Sequence, residues 1–326
     1  MSRRWLLLIL PVTAVVVAAA LVSRGPGGTE KEADDGQERF QFALIGDARY
    51  RPEEDAKFAR VMDAINAEDM AFTVHIGDIK RGAAPCGDDV YLTTRRLFSE
   101  FSSPLIYTPG DNEWTDCGDR DPKERLAFLR RVFFPDDQSH GRRRLGVERH
   151  SAEYPENVRW RYGKVTFATL HVVGSNNNLP DPSTPGRPRG DPAEFSARNR
   201  ANLEWLSQAF RKARADRSVA VVLAMQADPA FERPPQNRFG YQNLLAALER
   251  ETVAFAKPVV LLHGDTHVSR VDKPMTDSRT GRTVENFTRV ESFGSPDIHW
   301  VRGSVDTGNP EVFTFRQELI EANRAP

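Results

Sequence analysis

The sequence lacks the motifs of several common enzyme classes. Its 326 residues contain no glycine-rich phosphate loop, no dinucleotide-binding fingerprint and no G-x-S-x-G nucleophile elbow. These absences argue against the nucleotide-binding folds and the serine hydrolases that depend on those motifs. An excess of charge is lacking too, because 45 basic residues face 46 acidic ones and the formal net charge is -1. Without a basic field, nucleic acid is not an evident partner.

Long apolar runs are also scarce, and the one that stands out, residues 5–22, follows Arg3 and Arg4 near the N-terminus. A positive segment before such a run is typical of a secretory signal peptide or of an N-terminal membrane anchor. The alanine run 18–20 offers a cleavage site, so both interpretations remain open. In either case we expect the rest of the chain to be periplasmic, extracellular or anchored on the outer face of the membrane. The predicted segments are a signal or anchor at 1–23, a flexible linker at 24–38 and one globular domain at 39–326.

Cysteine is limited to two residues, Cys86 and Cys117. Each lies in a polar loop shortly after one of the aspartate motifs described below. Export makes a disulfide chemically reasonable. We therefore expect a Cys86–Cys117 bridge if those motifs converge, and two unrelated free thiols if they do not.

Short apolar runs alternate with amphipathic helical patterns along the rest of the chain. Strands are predicted near 40–45, 71–76, 105–108, 160–162, 165–173, 219–225, 259–262, 288–293 and 298–305, and helices near 52–66, 90–101, 123–134, 194–215 and 241–255. This alternation predicts an α/β fold, in which functional sites collect at the carboxyl ends of the strands. No internal repeat is present.

Four predicted strands end in a glycine followed by an aspartate. The aspartates are Asp47, Asp78, Asp111 and Asp265. The glycine allows the chain to turn sharply as it leaves the strand. One such pair is an ordinary turn, but four carboxylates meeting at one sheet edge would repel each other unless a cation neutralised them. The pattern therefore predicts a divalent metal site.

The order of these motifs resembles the signature of the calcineurin-like metallophosphoesterases, which is D-x-H, G-D, G-N-H-[DE], a histidine after a strand, and G-H-x-H. The resemblance spans Asp47 to His267, about two thirds of the chain, and the segment 288–295 is similar to the end of that domain. It implies a four-layer α/β/β/α sandwich of two mixed sheets. It also implies two metal ions that bind phosphate and activate a water for in-line attack.

The resemblance assigns six residues to metal binding: Asp47, Asp78, Asp111, Gln226, Asp265 and His267. Asp78 takes the bridging position. Asp111 replaces an asparagine, whereas Gln226 and Asp265 stand where the family has histidines. Because oxygen donors replace imidazoles, the site favours Mn²⁺, Mg²⁺ or Ca²⁺, with Fe or Zn as alternatives, and one or two ions per chain.

Three further residues, Arg49, Asn112 and His171, are assigned to catalysis. Arg49 replaces the histidine of the first motif and cannot bind a metal. We expect it either near the second metal position, where it would grip phosphate, or in an ion pair with the aspartates of an empty site. Asn112 replaces the histidine that assists the leaving group, so a titratable acid is lost. His171 precedes the polar turn 174–178, which could face the site.

Glu113 and His263 directly adjoin the motifs and are expected to support the ligands. The resemblance as a whole implies metal-dependent hydrolysis of phosphate mono- or diesters, with a phosphorylated small molecule or another phosphoester as substrate. Membrane contact would come only through an uncleaved N-terminal segment. The lost histidines leave a second interpretation open, a non-catalytic exported module of the same fold that binds a ligand or a cell-envelope partner.

Overall fold

Strands and helices alternate along the chain, as the apolar patterns predict. A computed structural model describes residues 38–82, 84–118, 120–180 and 190–324. The strands are β1 (Arg39–Ile45), β2 (Phe72–His75), β3 (Leu105–Tyr107), β4 (Glu148–Arg149), β5 (Val158–Tyr162), β6 (Val165–Thr169), β7 (Ala220–Ala224), β8 (Val259–His263), β9 (Arg270–Asp272), β10 (Phe287–Glu291), β11 (Trp300–Asp306) and β12 (Phe313–Glu318). The helices are α1 (Glu54–Asn66), α2 (Asp88–Phe98), α3 (Pro122–Phe133), the single turn α4 (Gly174–Asn177), α5 (Pro192–Ala215) and α6 (Gln242–Phe255).

The predicted signal peptide or anchor, residues 1–23, and nearly all of the predicted linker 24–38 lie outside the described residues. Among the helices that the structure describes, none is both long enough and apolar enough to span a bilayer. The domain assignment at this end of the chain therefore stays a prediction.

The strands form two mixed sheets. The first has the order β12-β11-β1-β2-β3, in which β1, β2 and β3 are parallel and β11 runs antiparallel to β1. The second has the order β4-β5-β6-β7-β8-β10-β9, in which β6, β7, β8 and β10 are parallel. Each sheet therefore has a block of parallel strands whose carboxyl ends lie along one edge.

Alternate residues of the strands face different apolar cores, as the two-residue period of a strand requires. In β1, Phe42 and Leu44 pack in the core between the sheets, whereas Ala43 and Ile45 pack in the core under helices α1, α2 and α3. Strand β8 alternates in the same way between the inter-sheet core and a third core under α5 and α6. The layers are helices, sheet, sheet and helices, which confirms the predicted α/β/β/α sandwich.

The longest helix begins with a side-chain cap, two residues before its predicted start. The Asp191 carboxylate accepts hydrogen bonds from backbone N–H groups two and three residues further on, both at 3.0 Å, and Pro192 takes the first helical position. Asp121 and Pro122 begin α3 in the same way. A cap of this kind stabilises a helix by about 1 kcal/mol. These two local signals therefore fix helix starts on opposite faces of the sandwich.

The apolar patterns miss three strands, β4, β9 and β12, and all three lie at the edges of their sheets. Their side chains are mostly exposed or half-buried. An edge strand packs fewer apolar side chains than a central one, so its sequence gives a weak periodic signal.

Cys86 and Cys117 form a disulfide, with a Cα–Cα distance of 5.6 Å, which confirms the predicted bridge. Its two sulfur atoms lie 3.8 and 3.9 Å from the carbonyl oxygen of Asn112. The cross-link therefore packs directly against the backbone of the third aspartate motif.

Candidate functional site

The four predicted aspartates meet at one edge of the two sheets. Asp47, Asp78 and Asp111 follow β1, β2 and β3, and Asp265 follows β8 in the other sheet. The Asp47 N–H donates to the Gly77 carbonyl at 3.0 Å, and the Asp265 N–H donates to Asp47 Oδ1 at 3.1 Å. The first hydrogen bond links two strand ends of one sheet, and the second joins the two sheets at the point where the carboxylates collect.

Two of the motif glycines are needed for space rather than for a turn. A Cβ on Gly110 would lie 1.9 Å from Asp78 Oδ1, and a Cβ on Gly264 would lie 2.0 Å from Asp47 Oδ2. It is the aspartates that take the left-handed conformation, with φ of 49° at Asp47, 57° at Asp78 and 79° at Asp265. Such strained backbone persists mainly at functional sites. At Gly110 and Gly264 the absence of a side chain therefore makes room for the aspartate of another motif.

Asp78 is hydrogen-bonded by two neutral side chains. Its Oδ2 accepts from the Tyr50 hydroxyl at 2.9 Å and from the Asn112 amide nitrogen at 2.6 Å. The same amide lies 3.1 Å from the Tyr50 oxygen, which closes a triangle. We call Asp78, Tyr50 and Asn112 the Asp78 cluster. The structure thus brings Asn112 onto the predicted bridging ligand, together with Tyr50, which the motifs did not indicate.

Glu113 lies behind this cluster and holds the backbone that follows Asp78. Its Oε1 accepts from the Ile79 N–H at 3.2 Å and from the Tyr107 hydroxyl at 2.8 Å. Burial raises the pKa of Glu113, while these two hydrogen bonds oppose the shift. Its contact is with the chain next to Asp78 rather than with the cleft.

Asp111 shares one hydroxyl with a second carboxylate. Ser175 Oγ lies 2.7 Å from Asp111 Oδ2 and 3.1 Å from Asp116 Oδ2. A hydroxyl has one proton to donate, so it cannot satisfy both oxygens at once. The other oxygen, Asp111 Oδ1, is buried and has no hydrogen-bond partner among the described residues. We call Asp111, Asp116 and Ser175 the Asp111 cluster.

Gln226 bridges the ends of three strands. Its amide oxygen accepts from the Gly174 N–H at 2.6 Å, and its amide nitrogen donates to Asp265 Oδ1 at 3.3 Å. The other oxygen of Asp265 accepts from the Asp228 N–H at 3.2 Å. The atom through which Gln226 would bind a metal is therefore already in a hydrogen bond.

His267 is held in the form that can bind a metal. Its Nδ1 donates to the Ser295 carbonyl at 2.7 Å, so in the neutral ring Nε2 presents a lone pair, and burial lowers the pKa of His267, which favours this neutral form. Nε2 lies 3.7 Å from Asp47 Oδ1. A backbone carbonyl that fixes the tautomer in this way is typical of metal-binding histidines.

Burial and mutual repulsion raise the pKa values of the clustered carboxyl groups. The pKa of Asp47, Asp78 and Asp111 lies well above its usual range, chiefly because of burial and further because of the neighbouring carboxylates. Burial also raises the pKa of Asp265, to about 6. At neutral pH these four groups need protons or a cation to offset their charge.

The chemistry of these donors fits a hard divalent cation. Asp47 Oδ2 and Asp111 Oδ1 are buried without a hydrogen-bond partner among the described residues, and His267 Nε2 is free to coordinate. In the part of the chain that the structure describes, however, no three histidine, cysteine, aspartate or glutamate side chains are spaced to hold one ion. Cation binding therefore requires the carboxylates to turn towards a common point.

Arg49 does not lie among the clustered aspartates. Its Nε donates to Asp55 Oδ1 at 2.8 Å, and its Nη1 donates to Thr94 at 3.2 Å. The structure shows neither of the two predicted placements. A carboxylate in the first turn of α1 provides its ion pair outside the cleft, and the next residue, Tyr50, enters the cleft instead.

His171 and His263 lie in the interior. His171 Nδ1 is 2.7 Å from Glu156 Oε1, and both side chains are fully buried. His263 Nδ1 donates to the Gly264 carbonyl at 3.0 Å. Burial lowers the pKa of both histidines. The structure thus does not bring His171 to the cleft, while His263 contacts the backbone of the last motif.

The wall of the cleft includes a left-handed turn. Residues 175–178 all have positive φ, between 48° and 61°. Three of these four residues are asparagines, which tolerate this conformation better than most residues do. Arg198 stabilises the turn, since its Nη1 donates to Asn177 Oδ1 at 2.5 Å and its Nη2 to the Asn177 carbonyl at 3.0 Å. The turn places the hydroxyl of Ser175 at the carboxylates.

These groups surround a cleft of about 550 Å³. Among the lining residues that the motifs did not mark are Tyr50, Asp116, Ser175 and Asp228. Each lies within five positions of a residue that the motifs did mark, so proximity along the chain was the available signal. The cleft is also lined by Asp78, Asp111, Asn112, Asn176, Ala230, Glu232, Arg233, Asn237, Arg238, Tyr241, Asp265, Thr266 and His267.

Solved structures with a similar fold include phosphatases. The structure of PhoD matches with a TM-score of 0.52 and 12% identity over 82% of this chain, which spans 64% of the PhoD chain. A dimetal phosphatase from Danio rerio matches with a TM-score of 0.51 and 14% identity, over 86% of this chain and 98% of that one. No protein-family model matches the sequence, and no curated protein matches it. The fold is that of the calcineurin-like metallophosphoesterases, which confirms the resemblance at the level of the fold.

Proposed function

We propose that this chain hydrolyses phosphate mono- or diesters with the help of divalent cations, outside the cytoplasmic membrane. The observation that supports this function is the convergence of Asp47, Asp78, Asp111 and Asp265 with His267 at the strand ends of a phosphatase-like fold. The substrate is a phosphorylated small molecule or another phosphoester.

Those five residues would hold one or two ions. A bound divalent cation polarises a phosphoryl oxygen and lowers the pKa of a coordinated water. Because four of the five donors are carboxylates, Mn²⁺, Mg²⁺ or Ca²⁺ is favoured, with Fe or Zn as alternatives.

Tyr50 and Asn112 would orient the substrate, because both present neutral donors beside Asp78. Neither replaces the imidazole acid of the family pattern. Asn112 has no titratable proton, and burial together with the charge of Asp78 raises the pKa of Tyr50, which keeps its hydroxyl protonated. We expect the missing general acid to lower the rate by about 10²–10⁴-fold relative to a site that has one.

Metal binding and activity should be measured together on the purified full chain. Asp78→Asn should abolish both Mn²⁺ binding, measured by calorimetry, and hydrolysis of p-nitrophenyl phosphate and bis-p-nitrophenyl phosphate. The matched control is Asp63→Asn, which removes an exposed carboxylate on α1 and should change neither. The proposal fails if the wild type binds no divalent cation at millimolar concentration and Asp78→Asn leaves its thermal stability unchanged.

The second candidate is a non-catalytic exported module of the same fold. The burial of His171, the hydrogen-bonded amide of Gln226 and the placement of Arg49 outside the cleft favour it. Such a module would bind a ligand or a cell-envelope partner through the same cleft. Binding of Mn²⁺ and inorganic phosphate by the wild type, without turnover of either model ester, would select this candidate.

Export is proposed from the N-terminal pattern, the apolar run 5–22 after Arg3 and Arg4. The disulfide is consistent with an oxidising compartment. The segment would also provide membrane contact if it is not cleaved. A C-terminal alkaline phosphatase fusion, which is active only outside the cytoplasm, should be active, and an inactive fusion would contradict export.

A further inference from the structure

We propose that Asp116 and Ser175 complete an all-oxygen cation position with Asp111 and Asp265, in place of the imidazole ligands that the family pattern has there. This inference rests on the proposed metal chemistry and extends it to two residues outside the motifs. It also specifies the class of ion, a hard cation with oxygen preference.

The first observation is the shared hydroxyl. Ser175 Oγ stands 2.7 Å from Asp111 Oδ2 and 3.1 Å from Asp116 Oδ2, so two carboxylate oxygens from different parts of the loop point at one atom. The Thr115 hydroxyl lies 3.2 Å from Asp116 Oδ1 and 3.1 Å from the Asp111 carbonyl, so its single proton is shared between these two acceptors. One proton cannot offset two negative charges, whereas one divalent cation can.

The second observation is independent of those hydrogen bonds. Asp111 is only 5% exposed, and its Oδ1 has no hydrogen-bond partner among the described residues. A Cβ on Gly174 would lie 2.7 Å from this oxygen and 2.7 Å from Asp265 Oδ1. The two oxygens therefore converge beside Gly174, and only the absence of a side chain there lets both come this close. An unpartnered buried oxygen aimed into a cluster of acceptors indicates a missing positive partner.

The donor types decide the class of ion. Carboxylates of Asp111, Asp116 and Asp265 and the Ser175 hydroxyl are all hard oxygen ligands, which Ca²⁺, Mg²⁺ and Mn²⁺ prefer. Gln226 orients one of these carboxylates, because its amide nitrogen donates to Asp265 Oδ1. The position is therefore expected to discriminate against Zn²⁺, which prefers nitrogen and sulfur ligands.

The test is a Mn²⁺ titration of the full chain by calorimetry, with Zn²⁺ as a competitor. Asp116→Asn should weaken the affinity of one position at least tenfold and leave the ion held by Asp47 and His267 unchanged. Ser175→Gly should weaken the same position, and it keeps the left-handed backbone without strain, so a folded variant is expected. Asp63→Asn is the matched control and should titrate as the wild type does.

The outcomes separate this inference from the proposed function. If Asp116→Asn and Ser175→Gly both bind Mn²⁺ as tightly as the wild type, the inference is overturned, whatever the activity. If the variants lose one position but the wild type hydrolyses neither model ester, the inference stands and the proposed function fails. If the wild type binds no ion at millimolar concentration, the inference is overturned, and the proposed function fails as well when Asp78→Asn leaves the thermal stability unchanged.

Discussion

The Asp78 cluster and the Asp111 cluster stand at neighbouring strand ends, but their carboxylates have different partners. In the Asp78 cluster one oxygen accepts two hydrogen bonds from neutral donors, Tyr50 and Asn112. In the Asp111 cluster two carboxylates compete for the single proton of Ser175. The first arrangement has more donors than charges, and the second has more charges than donors.

This difference shows where a cation is most needed. Hydrogen bonds from neutral donors stabilise an ionised buried carboxylate, so Asp78 is partly satisfied without an ion. Asp111 and Asp116 repel each other unless a proton or a cation lies between them. The following experiments in EDTA, which removes divalent ions, and in Mn²⁺ exploit this contrast.

The largest expected effect is the pH dependence of stability, because all the clustered carboxyl groups contribute. In EDTA, the folded chain holds protons more tightly than the unfolded chain does, since the pKa of Asp265 is about 6 against an ordinary 3.8 and that of Asp111 is also raised. The contribution of these protonated carboxyl groups to the free energy of unfolding is therefore present at low pH and is lost as pH rises from about 4 through 6.

Saturating Mn²⁺ should remove this loss, because the ion replaces the protons. The melting temperature in Mn²⁺ minus that in EDTA should therefore increase from pH 4 to pH 7, and taking the difference cancels groups outside the cleft. A difference that stays constant over this range would show that the carboxylates are not neutralised by the ion.

The next effect concerns the Asp78 cluster alone. Tyr50→Phe removes one of the two side-chain donors to Asp78 Oδ2. In EDTA we expect the free energy of unfolding to fall by about 1–2 kcal/mol, since a buried acceptor loses a partner. Urea denaturation measures this loss. Tyr162→Phe, on β5, is the control, and an equal loss in both variants would mean that the Tyr50 hydroxyl does not stabilise Asp78.

The smallest effect concerns the Asp111 cluster and has the opposite sign. In EDTA, Asp116→Asn should raise the free energy of unfolding by less than about 1 kcal/mol, because it removes repulsion that water partly screens. In Mn²⁺ the same variant should be less stable than the wild type, because a ligand is lost. Asp63→Asn should show no reversal, and a variant less stable than the wild type in both conditions would contradict the contrast between the clusters.

The fold could be predicted from local patterns because central strands and capped helices leave strong signals. Strand β1 and helix α5 begin and end within two residues of their predicted bounds. The Gly-Asp motifs also predicted which side chains meet, since parallel strands end at one edge. Edge strands such as β12 were missed because few of their residues are buried.

The partners within the site could not be predicted in the same way. Arg49 and Tyr50 are adjacent, and both are large polar side chains that the first motif could have directed into the cleft. Arg49 points away from the cleft because it forms an ion pair with Asp55, whereas Tyr50 enters the cleft because its hydroxyl donates to Asp78. No periodicity in the sequence around position 50 encodes that choice.

The sequence by itself determined the order of the long helices and of the central strands, the resemblance to the metallophosphoesterases, the positions of the four aspartates and the pair of cysteines that forms the disulfide. Only the tertiary structure decided that Tyr50 rather than Arg49 faces the carboxylates, that His171 pairs with Glu156, and that Ser175 joins Asp111 to Asp116. The physical reason is distance along the chain. Local patterns specify backbone elements, whereas the direction of a side chain at a strand end depends on contacts such as Asp265 with Asp47, which are 218 residues apart.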